Sequence, residues 1–135
     1  MDEFPELLQT VLDTTDARGL AEFYRELLGM TYRPGDEPPT EGRDDADWLV
    51  LVDAGGGRLA FQQVDQLERT TWPSAGVPQQ LHLDLTVHSA ADLENQRARA
   101  QALGAELLLD RSDDPQEPLY VLADVAGHPF CIFVA

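Results

Sequence analysis

The chain carries one pattern twice. Gln9 and Asp16 stand seven residues apart, as do His82 and Ser89, and the two stretches superpose at an offset of 73. A repeat of about half the chain fixes an architecture before any single motif does, because a structural unit written twice folds twice. In the first copy residues 9–15 form an extended run, and Asp16 follows as an N-cap whose carboxylate can accept from the free amides of a helix. Leu20, Phe23, Tyr24, Leu27 and Leu28 then recur at helical spacing until Gly29 stops the helix. In the second copy Leu81, Leu83, Leu85 and Val87 alternate with His82, Asp84, Thr86 and His88, the period of a half-buried strand. Ser89 caps the next helix with Asp92 three residues on, and Leu93, Ala100 and Leu103 line one face before Gly104.

After each helix the signals turn to strands. Residues 30–33 and 105–109 follow the helix stops directly; 48–52 meets 58–64 through Gly55, Gly56 and Gly57, as 120–123 meets 129–134 through Gly127. The stretches 34–47 and 110–118 are rich in proline and acid and read as surface loops. Residues 65–80, with Trp72-Pro73 and Pro78, read as a linker. The expectation is a single α+β domain over residues 1–135, built of two tandem βαβββ modules at about 6–64 and 81–135, each with its helix packed on its sheet.

Charge narrows the partners. Acidic residues number 25 against 9 basic ones, all of them arginine, for a formal net charge of -16. Such a surface repels phosphate backbones and anionic headgroups, so nucleic acid and membranes are disfavoured and neutral or cationic small molecules remain. Solubility or a salty habitat accounts for the same acidity without any ligand. Cys131 is the one cysteine and has no partner for an internal disulfide. No stretch has the apolar length of a membrane span or the layout of a signal peptide, and a reducing cytoplasm is the expected location. Nucleophile elbows, phosphate-cradling loops and paired zinc motifs are absent, and Gly55 to Gly57 read as a hairpin turn.

Several residues bear chemistry. His82 and Asp84 share a strand face, where they form either an acid–base pair or a mutually satisfied polar pair. Cys131, between Phe130 and Ile132, is either a small, inert buried filler or a ligand or nucleophile. Trp48, Tyr32 and Trp72 are candidates for an aromatic wall beside a flat or cationic guest, with core filling and linker pinning as the alternatives. His128 and His88 read as turn and surface residues. The acidic runs 36–47 and 110–117 either concentrate a basic ligand or are simply solvated.

The order of these motifs resembles the vicinal oxygen chelate superfamily, in its glyoxalase-like branch near glyoxalase I, bleomycin resistance proteins and ring-cleaving dioxygenases. The resemblance rests on Leu12-Asp13-Thr14-Thr15-Asp16, Phe23-Tyr24 with Leu27-Leu28-Gly29, Trp72-Pro73 before Pro78-Gln79-Gln80, the His82 strand, and Gly127-His128-Pro129-Phe130-Cys131. It implies half-sheets curled into a cup with helices outside, and a homodimer. Metal-using members of the superfamily take one donor from the first and one from the last strand of each half. Those positions correspond to Gln9, His82, Ala60 and Cys131, with Gln62 close to Ala60. Alanine has no lone pair, and an amide, imidazole and thiol without a carboxylate suit Mg, Mn or Ni poorly and zinc only tolerably. No metal is therefore favoured. The implied ligand-binding set is Gln9, Trp48, Ala60, Gln62, His82, Asp84 and Cys131, in a small-molecule binding protein of the bleomycin resistance type that needs no metal. The alternative is a lyase, isomerase or dioxygenase acting on vicinal oxygens. It would use Zn, Ni, Mn or Fe on Gln9, His82 and Cys131, or His82 and Asp84 alone for proton transfer.

Overall fold

A computed structural model describes residues 3–135. The elements are β1 (Thr10–Thr14), α1 (Ala17–Leu28), β2 (Thr31–Tyr32), β3 (Trp48–Val52), β4 (Arg58–Gln63), β5 (Leu83–Val87), α2 (Ala90–Ala102), β6 (Glu106–Arg111), β7 (Leu119–Ala123) and β8 (Pro129–Val134). The chain divides into two compact units, Met1–Leu67 and Glu68–Ala135. Each is a βαβββ module with a mixed four-stranded sheet, ordered β1-β4-β3-β2 in the first and β5-β8-β7-β6 in the second. This is the α+β class that the repeat predicts.

In both modules the first strand runs parallel to the last, and the remaining pairs are antiparallel. Both hairpins into the last strand turn on an aspartate. Asp53 Oδ1 accepts from the Gly57 N–H at 2.8 Å, and Asp124 Oδ1 from the His128 N–H at 3.0 Å. Gly56 and Gly127 hold φ of 92° and 97° inside these turns, where a β-carbon would be strained. Asp124 is buried.

The helices start where the capping residues say. Asp16 Oδ1 accepts from the Gly19 N–H at 3.0 Å and Ser89 Oγ from the Asp92 N–H at 3.1 Å, so each satisfies one orphan donor. Helix α1 ends at Gly29 with φ of 68°. Its buried stripe includes Leu20, Phe23, Tyr24 and Leu27, with Tyr24 stacked on Phe61 of β4 at 6.0 Å. Leu28, at the last helical position where the chain leaves for β2, is exposed instead. Helix α2 buries only Leu93 and Ala100, and Leu83, Leu85 and Val87 beneath it are half-buried. The second core rests more on Tyr120, Leu122, Phe130 and Ile132 of β7 and β8.

Each helix is tethered to its own sheet by the same device. The Tyr32 hydroxyl donates to Glu22 at 2.6 Å with the Arg18 guanidinium 5.0 Å above the ring; the Tyr120 hydroxyl donates to Glu94 at 2.6 Å with Arg97 at 5.7 Å. Arg18 also binds Asp44 and donates to the Asp36 carbonyl at 2.7 Å, and Asp36 accepts from the Val50 N–H at 2.9 Å. The acidic loop of residues 36–47 is thus fastened to α1 and β3 rather than merely solvated.

Burial and the bond to Glu22 push the Tyr32 phenol from 10.0 to about 12. A raised acid favours the protonated folded form, so its contribution is full below pH 10 and is lost as the pH climbs towards 12. Tyr32→Phe is expected to cost about 1 kcal/mol at neutral pH in urea unfolding. It should also flatten the fall in stability between pH 10 and 12; equal alkaline slopes in both proteins would refute the tether.

Candidate functional site

Strand register assigns the side chains to faces, because directly opposed residues point the same way. Leu12, Phe61 and Leu49 line the α1 side of the first sheet, so the other side carries Val11 and Asp13 with Ala60 and Gln62 and with Val50 and Trp48. The second sheet repeats this. Leu83, Phe130 and Leu122 lie on one face, and Asp84, Cys131 and Val121 on the other. Val11 and Asp84 are the repeat-related residues of β1 and β5, and they stand opposite Ala60 and Cys131 respectively.

Polar chemistry concentrates in the second module. His82, one residue before β5, places Nε2 3.2 Å from Asp84 Oδ1 and Nδ1 3.1 Å from Gln79 Oε1. Its ring stacks on Trp72 at 5.2 Å and 12°. The indole is held by a turn: the Thr71 N–H donates to the Val77 carbonyl at 3.0 Å, Val77 N–H to Thr71 Oγ1 at 2.8 Å, and Trp72 N–H to Thr70 Oγ1 at 3.0 Å. Residues 70–77 of the expected linker therefore form an ordered platform beside His82. Cys131 stands directly opposite Asp84, and one donor atom from each of His82, Asp84 and Cys131 lies within 4.8 Å of the others. The side chain of Asp84 is 57% exposed, so the group is reachable from solvent. Burial, followed by the charge and hydrogen bond of Asp84, pushes the Cys131 thiol from 9.0 to about 11. At neutral pH it is a protonated thiol and no nucleophile.

The first module supplies less. Gln9 Oε1 accepts from Arg58 Nε at 3.2 Å. Ala60 is fully buried and has nothing to donate. Gln62 is exposed opposite Asp13 and Trp48, and Trp48 is half-buried. Tyr32 lies opposite Leu51 on the helix side with its hydroxyl on Glu22, so it is not part of an aromatic wall with Trp48. Of the metal set expected from sequence, Gln9 with His82 and Cys131, the structure brings His82 and Cys131 together within the second module, with the Asp84 carboxylate beside them. The alternation in β5 put Asp84 on the His82 face, but only the pairing of β5 with β8 sets it against Cys131. Trp72 was read as an aromatic-wall candidate and Gln79 only as part of the Pro78-Gln79-Gln80 motif; their contacts with His82 carried no local signal.

The metal centre that the resemblance implies has four donor positions, two in each module. A four-donor site needs ligands from both modules, and in the first Ala60 has none and the Gln9 oxygen is already engaged by Arg58. The residues present do not fit that centre.

A mixed sheet of four strands with one backing helix, occurring twice in tandem, defines the paired βαβββ class of α+β proteins. The chain belongs to the glyoxalase-like domain family, whose model matches residues 9–133, within the vicinal oxygen chelate superfamily. Among curated proteins none matches the sequence. Solved structures share the fold at low identity. A glyoxalase/bleomycin resistance protein/dioxygenase family enzyme from Burkholderia phytofirmans PsJN is similar at TM-score 0.71 and 17% identity, covering 96% of this chain and 98% of that one. A mutant of the fosfomycin resistance protein FosX from Listeria monocytogenes, complexed with Mn(II) and 1S,2S-dihydroxypropylphosphonic acid, is similar at 0.71 and 16%, covering 98% and 93%. FosX from Mesorhizobium loti is similar at 0.68 and 13%, covering 100% and 94%. No helix among the described residues is long and apolar enough to cross a membrane.

Cys131 labelling by a disulfide reagent at pH 8 should be about 100-fold slower than that of an ordinary cysteine, because a two-unit rise leaves that much less thiolate. Asp84→Asn removes the nearby negative charge and should speed labelling; an unchanged rate would separate the two side chains.

Proposed function

We propose that the protein binds a small organic cation on the helix-free face of its second sheet, through His82, Asp84 and Trp72 directly and without the four-donor metal centre. The observation that carries this reading is the loss of donors in the first module: Ala60 is buried without a lone pair and Gln9 is held by Arg58. What remains is an exposed carboxylate beside a stacked imidazole and indole, a surface that favours flat, positively charged guests. The net charge of -16 adds long-range attraction for the same class. The Listeria FosX structure, which holds a small organic acid with Mn(II), supports a binding role for the fold and leaves the guest of this chain to its own residues. A homodimer and a cytoplasmic location belong to the same proposal.

One observation favours an enzyme as the second reading. His82 and Asp84 at 3.2 Å form a pair able to take and hold a proton from a bound substrate.

Fluorescence titration with the aromatic cation proflavine tests the first reading. Binding should survive excess chelator, weaken as salt rises, and weaken about tenfold in Asp84→Asn, the loss of one partly screened ion pair. Binding abolished by chelator, or indifferent to Asp84→Asn, would contradict it.

A further inference from the structure

A flat guest needs an aromatic face that stands ready before it arrives, and the indole beside His82 lies outside every strand and helix. We infer that the Thr71 hydroxyl is the positioning group of this face: it closes the loop of residues 71–77, holds Trp72 on His82, and so sets a preference for flat cations over saturated ones. The inference rests on the reading that this face binds an organic cation, and it names the residue that decides which cations are favoured.

The two halves of the site are anchored differently. Asp84 lies in β5, and its place opposite Cys131 is set by the ladder to β8. Trp72 lies between β4 and β5, where no strand or helix fixes the chain. Its stack on His82, at 5.2 Å and 12°, depends instead on the bonds within its own loop. Charge is thus presented by a strand and the aromatic face by a loop, so a change in the loop can alter one without the other.

Thr71 is the knot of that loop. Its hydroxyl accepts from the Val77 N–H at 2.8 Å and can donate its one proton to the Ala75 carbonyl at 3.0 Å. Its backbone N–H donates to the Val77 carbonyl at 3.0 Å, and its own carbonyl accepts from the Ser74 N–H at 2.8 Å. Gly76 is shaped to this hydroxyl: its φ is 128°, and a β-carbon there would come 2.9 Å from Thr71 Oγ1. The start of the loop is fastened to the second module by Arg69, whose Nη2 lies 2.7 Å from Glu106 of β6.

Thr71 is exposed, so water can replace its bonds when the hydroxyl is removed. The loop then loosens while the module stays folded. A loose indole has to be ordered when a guest binds, and that cost falls only on guests that stack on it. A cation without a flat face draws on Asp84 alone.

The test uses the full chain and two cations of like charge, the flat proflavine and the saturated cyclohexylammonium, each titrated while the Asp84 backbone amide is followed by NMR. Thr71→Val should weaken proflavine about tenfold and leave cyclohexylammonium within about twofold, with circular dichroism confirming the fold. Gly76→Ala, which crowds the hydroxyl, should give the same selective loss, and Thr71→Ser, which keeps it, should restore the wild-type preference. In a Trp48→Phe background Trp72 is the remaining tryptophan. Acrylamide should then quench its emission more readily in Thr71→Val than in the parent, with no guest present. An equal fall for both cations, an unchanged affinity ratio in Thr71→Val, or a Thr71→Ser chain no better than Thr71→Val would each overturn the proposal. Refusal of both cations by the wild-type chain contradicts the binding reading itself, whereas wild-type binding with an unchanged ratio in Thr71→Val contradicts the role of Thr71 alone.

Discussion

Parallel pairing between the first and last strand of each module is the constraint on which the site depends. These strands are far apart in sequence, and their register is set by a helical crossover at one end and an aspartate-anchored hairpin at the other. Because a strand has period two, a slip of one residue would turn Asp84 towards the core and Leu85 towards Cys131. The Asp124 turn fixes β8 against β7, and its carboxylate is buried with its bonds to the Ala126 and His128 amides.

Repetition explains the frame, and divergence explains the chemistry. Both modules keep the capped helix, the tyrosine–glutamate tether and the aspartate turn. On the face opposite the helix they part. Val11 beside Ala60 gives the first module an apolar floor, and Asp84 beside Cys131 gives the second a polar one. The first module has the more deeply seated helix; the second, whose helix buries two residues, carries the donors. A thinner core under a polar face fits the general tendency of functional sites to hold back some stability.

Much of the fold was legible in the sequence because its signals are local. Periods of two and 3.6, Asp16 and Ser89 at the caps, and glycine at the turns each concern a few neighbouring residues, and the strands fall within a few residues of the expected bounds. The site was less legible because it depends on distant pairing. His82, Asp84 and Cys131 were each singled out, but that all three come together follows only from the pairing of β5 with β8. Engagement of Gln9 by Arg58 lies between residues 49 apart and leaves no trace in spacing. Tyr32 was misplaced because β2 has two residues and so no period to read.

The central claim is that binding belongs to the helix-free face of the second sheet. Backbone amide NMR of isotope-labelled protein, titrated with proflavine, tests it most directly. The account predicts the largest shifts at Trp72, His82, Asp84 and Cys131, with little change along α1 or α2. Shifts concentrated on the helices, or on the Ala60 strand with the His82 strand silent, would contradict it.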